Sequence, residues 1–162
     1  MRPALLLAAL LPLVAACALR HDAPPPSPHC RTGDPLAGVY HPKRLKVKSR
    51  CRVATGTVDR VKFEEYDGDV HILLRLDRGQ ERLLSHGNDQ LGGMLVVELI
   101  PQDRARVPVP DVGERVTVVG PWVEDHEHGD WNEIHPAWSI SSGRIVPASP
   151  LELDRVRKLL TP

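Results

Sequence analysis

From Leu45 to about Lys62 apolar and charged residues alternate, and this alternation limits the possible folds more than any other feature of the chain. Leu45, Val47, Cys51 and Val53 point one way, with Ser49 among them, while Lys46, Lys48, Arg50 and Arg52 point the other. Successive side chains of a strand project to opposite faces, so period two with one apolar face predicts a half-buried β-strand. Gly56 falls inside the pattern and predicts a bulge or a sharp coil there.

The same period recurs downstream. Tyr66-Asp67-Gly68-Asp69 reads as a turn, with Val70, Ile72, Leu74 and Leu76 inward on the next strand and His71, Leu73 and Arg75 outward. Asp67-Gly68-Asp69 also resembles part of a calcium loop, but the remaining ligands are missing at the required spacing. Asp77 to Gln80 turns the chain and Glu81 to Leu84 returns. Ser85 to Gly93 reads as a loop, Met94 to Ile100 as a short apolar strand, and Pro101 to Gly113 as irregular. Glu114 to Trp122 alternates again with Val116, Val118 and Trp122 inward, and Trp131 to Ile140 is expected as the last strand. Helical period first arises at the C-terminus. There Ser149 as N-cap, Pro150 at N1 and Glu152 at N3 open a short helix with Leu153, Val156 and Leu160 on one face and Leu159 beside them. These segments predict an all-β fold, a small five-stranded Greek-key barrel with a short C-terminal helix. Val53-x-x-Gly56-x-Val58, then DGDVHILLRLDRGQ, then Asp111-Val112-Gly113-Glu114-Arg115-Val116-x-Val118-x-Gly120-x-Trp122, taken in that order, resemble an OB-fold. The closing HGDWNEIHPAW is similar to an HGxWxEIHP-type motif of uncharacterised exported bacterial proteins of OB-like pattern, a resemblance that implies a fold and no chemistry.

The N-terminus carries an address. Arg2 precedes an apolar run, Ala4 to Val14, interrupted only by Pro12. A bilayer-spanning helix needs about 20 apolar residues, so this run has the length of a signal-peptide core instead. Leu13-Val14-Ala15-Ala16-Cys17 resembles a bacterial lipobox, which implies lipidation at Cys17 and anchoring in a membrane. Ala18 after the cysteine resembles the pattern that directs lipoproteins to the outer membrane, facing the periplasm. Residues 17–35 follow as a proline-rich tether. The expected division is leader 1–16, tether 17–35, barrel domain 36–147 and helix 148–162.

With Cys17 assigned to lipid, Cys30 and Cys51 remain, either as a disulfide or as a bare thiol pair. A disulfide would close a loop of about 20 residues, worth roughly 3 kcal/mol in the chain-entropy model. Lys plus Arg equal Asp plus Glu at 21 each, so no global field steers the protein to nucleic acid. Stacking aromatics are scarce too, and nucleic acid is not an expected partner.

Two local features stand above this background. Between Asp125 and Trp138 lie three histidines. Strand alternation puts Asn132, Ile134 and Trp138 on one side, with Ile134 and Trp138 toward the core, and Trp131, Glu133, His135 and Ala137 on the other. If the loop histidines fold back, His126, His128, Glu133 and His135 form a set of the kind zinc or copper accepts. His71 and His86 are further candidates. Without a metal, His135 hydrogen-bonds Glu133 or a backbone carbonyl; general acid–base catalysis is a third use. The second feature is the basic stripe Lys43, Arg44, Lys46, Lys48, Arg50 and Arg52, the last four on one strand face. It is either a cationic surface for an anionic headgroup, polymer or protein partner, or an edge strand blunted by lysines. The expected function is a lipid-anchored cell-envelope binding module with no cofactor. The alternative is a metal-binding protein or metal-dependent hydrolase built on the histidine set, and a third possibility is a purely structural envelope protein.

Overall fold

The computed structural model describes residues 27–161; Cys17, the leader 1–16 and residues 17–26 of the tether lie outside the described residues. The alternation that begins at Leu45 becomes β1 (Leu45–Phe63). Its length lets it serve two neighbours. Leu45 to Thr57 pairs antiparallel with β4 (Arg115–Asp125), and Gly56 to Phe63 pairs antiparallel with β2 (Val70–Leu76). Where the halves overlap, Gly56 stands opposite both Leu76 and Val116. A Cβ at this point would sit 2.3 Å from the Arg75 carbonyl oxygen, so only glycine allows both neighbours to close in. The register shifts lie to either side, between Val47 and Arg52 and between Val58 and Arg60, and these bulges bend the strand. They also interrupt the simple two-sided reading, and Val47 stays 37% exposed.

The remaining strands close a ring. β2 pairs antiparallel with β3 (Leu95–Leu99), β3 pairs parallel with β5 (Trp131–Ile134), and β5 pairs antiparallel with β4, which returns to β1. The order β1-β2-β3-β5-β4-β1 is a five-stranded OB-like Greek-key barrel, with a sixth strand, β6 (Ser139–Ile140), added to β4. Its interior holds Val58, Ile72, Leu74, Leu95, Val97, Val118 and Ile134, all at or below 1% exposure, and Trp138 is buried at 7%. Fully burying an aliphatic side chain of this size contributes about 1.5–3 kcal/mol. A second apolar cluster, Val39, Leu45, Ile100 and Val123 with Leu36 against it, lies outside the ring. The segment before β1 therefore packs over one outer face of the barrel. The Cys30–Cys51 disulfide, with an S–S length of 2.00 Å, ties that segment to β1.

Three expectations change. Trp131 to Ile140 is two strands. Pro136, joined to His135 by a cis peptide, has no N–H to give to a ladder, and beyond it Ala137 donates to the Glu98 carbonyl and Trp138 to that of Val119. Ala137 consequently lies in the barrel core, not on the side of Glu133 and His135. Glu81 to Leu84 does not return as a strand. Glu81–Leu83 is one 3-10 turn that drops Leu83 into the barrel end, held by the Gln80 side chain accepting from Thr55 N at 3.0 Å. On the C-terminal helix α1 (Pro150–Leu160) the capping box of Ser149 and Glu152 forms as expected. Val156 is buried and Leu159 half-buried, whereas Leu160 is exposed, because the helix meets the barrel through the 3-10 turn Pro101–Asp103 and offers that contact a narrow face.

Candidate functional site

Directly paired residues share a face of the sheet, so the register sorts the strands into inside and outside. Val70, Ile72 and Leu74 of β2 pair with Leu99, Val97 and Leu95 of β3, all in the core, which leaves His71 opposite Glu98 and Leu73 opposite Val96 on the outer surface. Val97 pairs with Ile134 inside, so Val96 pairs with Glu133 outside. Glu133 in turn sits opposite Val123, and Trp131 opposite Asp125. Lys62 and Arg60 of β1 join this outer face opposite His71 and Leu73.

Half of that face is nevertheless buried. Glu98, Asp125, Glu133 and His135 are at most 1% exposed, Asp69 is 2% exposed, and Arg44, from the segment that crosses the barrel, is 8% exposed. The Arg44 guanidinium bonds the Asp125 carboxylate and lies 3.6 Å from Glu98 Oε2 and 3.8 Å from Glu133 Oε1. His135 Nδ1 faces Glu133 Oε1 at 3.0 Å and Glu98 Oε2 at 2.9 Å, and its Nε2 faces Asp69 Oδ2 at 3.5 Å. Trp131 Nε1 donates to the second oxygen of Glu133 at 2.8 Å. His71 Nε2 reaches Glu98 Oε1 at 3.3 Å from a position partly open to solvent.

Burying charge without compensation is expensive, and the cost falls unequally on four of these groups. Burial pushes Asp69 up to about 6 against the pull of His135. Burial, with the Glu98 carboxylate beside it, pushes Glu133 up to about 7. Glu98 goes the other way: burial would raise it, but His135, His71 and Arg44 together hold it well below the usual carboxylate range. Burial disfavours charge on His135 as well, yet Glu98 first, then Asp69 and Glu133, raise it well above the ordinary imidazole value.

Beside the cluster the outer face opens into a groove of about 130 Å³ lined by Arg60, Lys62, His71, Leu73, Val96 and Trp131, with Leu91 at its edge. At ~30 Å³ per liquid water it holds roughly four waters, far below the ~300–1,000 Å³ of a drug-sized site. Its tryptophan is fixed on both sides. The His128 ring stacks on Trp131 with centroids 5.1 Å apart and planes at 8°. Beneath, buried Asn88 exchanges two 2.9 Å hydrogen bonds with the backbone of Asn132, pairing β5 as a strand would. Gly87 makes this approach possible, since a Cβ there would stand 2.3 Å from the Gly129 carbonyl oxygen.

The histidine set named from sequence divides. Glu133 and His135 come together as expected and hydrogen-bond, but they face a buried interior and not an open surface. His126 and His128 do not fold back to join them. His126 Nδ1 pairs with Asp130 at 2.7 Å and His128 Nδ1 with Asp125 at 2.8 Å, both rings about half exposed, because the tight turn through Gly129 supplies nearer carboxylates. His86 is exposed and paired with Asp89. The stripe Lys46, Lys48, Arg50 and Arg52 is exposed as predicted, but three of the four have local partners. Lys48 bonds Glu124 and Asn132 and lies over Trp122, Arg52 approaches the same ring, and Arg50 donates to the Gly33 carbonyl. Arg44, Asp69, Glu98 and Asp125 complete the cluster; Arg44 leaves the basic stripe for this buried acid pocket, Asp69 was read as a turn residue, and Glu98 and Asp125 were not singled out by sequence reasoning. The one sequence signal for them was Glu98, an acid within an otherwise apolar strand. Compared with known proteins, the chain matches no family model and no curated protein.

Proposed function

We propose that this protein is a lipid-anchored binding module of the bacterial cell envelope, attached through Cys17 to the outer membrane and facing the periplasm. Its barrel holds an anionic envelope glycan on the outer face of β1, β2 and β3. The observation that carries the reading is the groove. Arg60, Lys62 and His71 surround a small apolar floor of Leu73 and Val96 beside the fixed indole of Trp131. An aromatic platform with two cations beside it, Arg60 and Lys62, suits one unit of a phosphorylated or carboxylated sugar polymer, and the outer face of the second and third strands is where OB-folds take oligosaccharides. The lipobox-like Leu13 to Cys17 and the proline-rich stretch after it support the address.

The test is a titration of the full chain with lipopolysaccharide, followed by tryptophan fluorescence at 50 and 200 mM salt. Binding should weaken with salt, as expected for partly exposed charges. The double variant Arg60→Glu, Lys62→Glu should lower affinity tenfold or more while leaving the fold intact. Binding that ignores the double variant, or no binding at all, would overturn the assignment of the groove.

A further inference from the structure

Four buried carboxylates, Asp69, Glu98, Asp125 and Glu133, share one guanidinium, that of Arg44. Arg44 bonds Asp125 and leans toward Glu98 and Glu133, leaving Asp69 on the far side of the His135 ring. Among the described residues, three buried side-chain atoms have no hydrogen-bond partner, and they belong to one group: Asp69 Oδ2, His135 Nε2, and Glu98 Oε2, which stands 2.9 Å from a His135 Nδ1 already bonded to Glu133. One ligand atom from each of these residues lies within 4.8 Å of the other two.

The tautomer of His135 gives this coincidence chemical meaning. With Glu133 ionised, its Oε1 accepts from Nδ1 at 3.0 Å, and Glu133 is itself held by Trp131 Nε1. A carboxylate on one ring nitrogen places the proton there and leaves the lone pair of Nε2 pointing the other way, which is how metal-binding histidines are oriented. That lone pair faces the unpartnered oxygen of Asp69 at 3.5 Å. In this tautomer two acceptors face each other, a contact that only a second ring proton or a cation relieves. The span exceeds the ~2.7–3.2 Å of an N–H···O hydrogen bond. It matches two ligands of a common ion, since bonds of about 2.0–2.1 Å at a tetrahedral angle set the ligand atoms roughly 3.4 Å apart.

We propose that Asp69, Glu98 and His135 form a buried site for a divalent transition-metal ion, with zinc favoured by the donor set. One imidazole and two carboxylates suit zinc better than calcium, which takes six to eight oxygens. The site shares only His135 with the set anticipated from sequence. It is closed, and its metal is structural: it joins the turn before β2 to β3 and to the chain just after β5.

The full chain, purified without an affinity tag, is stripped with chelator and titrated with zinc chloride by calorimetry. Bound metal is counted by mass spectrometry, and the melting temperature is followed with and without zinc. One zinc per chain with Kd at or below about 1 μM, and a melting temperature raised by several degrees, are expected. His135→Gln and Asp69→Asn should each weaken binding at least 100-fold. Either may fail to fold, so the wild-type melting shift stands as an independent reading. The exposed group Glu124, His126 and Asp130 is the control: His126→Ala, Asp130→Asn should keep the buried ion. Less than 0.1 zinc per chain with no melting shift would mean that a proton fills the gap and would overturn the proposal. Zinc lost in the surface double variant but kept in His135→Gln would overturn it equally.

Discussion

Removing the Cys30–Cys51 disulfide tests how the segment over the outer face is held. The cross-link spans 21 residues. In the chain-entropy model a loop of that length is worth about 3.3 kcal/mol at 25 °C. Over the 135 residues from 27 to 161 the entropy of unfolding is roughly 0.28 kcal/mol/K, so reduction should lower the melting temperature by about 12 °C. The loss should be concentrated in the strap. Residues 36–44 place Leu36 and Val39 on the outer apolar cluster and Arg44 among the buried acids, and little else fastens the stretch from Cys30 to Leu36. The ties there are buried Pro35, Arg31 to Asp103 at 2.8 Å and over the Trp138 ring, and Arg50 to the Gly33 carbonyl. Calorimetry of the oxidised protein, the reduced protein and Cys30→Ser, Cys51→Ser gives the magnitude. Amide exchange locates the effect: the Val39 and His126 amides, bonded to the Leu36 and Arg44 carbonyls, should lose protection before the ring does. A melting shift below about 3 °C, or protection lost evenly across the barrel, would refute the idea that the bridge acts by confining the strap.

Ile134→Ala removes a fully buried side chain from the barrel centre and should cost about 3–4 kcal/mol by chemical denaturation, within the usual range for such deletions. Glu152 is held at about 2 by the Ser149 backbone amide and Arg104. Its contribution is therefore present above about pH 4.5 and is lost as pH falls toward 2; with the side chain 33% exposed, screening leaves about 1 kcal/mol. Glu152→Gln should cost that much at pH 7 and progressively less as pH falls from 4.5 through 2 in acid-unfolding curves. Cys17→Ala should abolish incorporation of labelled palmitate and release the protein from the membrane fraction; continued labelling would remove the lipoprotein assignment.

The barrel was legible because period two survives wherever one sheet face is core. Leu45, Val70 to Leu76 and Val116 to Val118 announce both strand and side, and Gly56 marks the place where one strand meets two neighbours. Alternation says less about what covers the opposite face. Glu133 and His135 were correctly placed away from Ile134, yet Arg44, which reaches the acids beside them, precedes β1 and carries no period. Asp69 read as a turn residue because Asp-Gly is a strong turn signal; its second role, beside His135, arises only when β2, β3 and β5 are side by side. The division of Trp131 to Ile140 was signalled by Pro136, a residue that ends ladder donation. The helix boundary was plain from its capping box, while the choice of Leu159 over Leu160 depended on the angle at which it docks.

The parallel ladder between β3 and β5 consists of only two residue pairs, Val96 with Glu133 and Val97 with Ile134. It has the fewest paired residues of any seam in the ring, so its backbone bonds alone do least to hold the cylinder closed. Just past that short ladder the backbone of Ala137 reaches Glu98, and the acid–imidazole contacts of Glu98, Glu133 and His135 straddle the same gap. The polar knot works as a clasp on the weakest stave. Whatever neutralises it, proton or ion, also sets how long the finished cylinder stays shut.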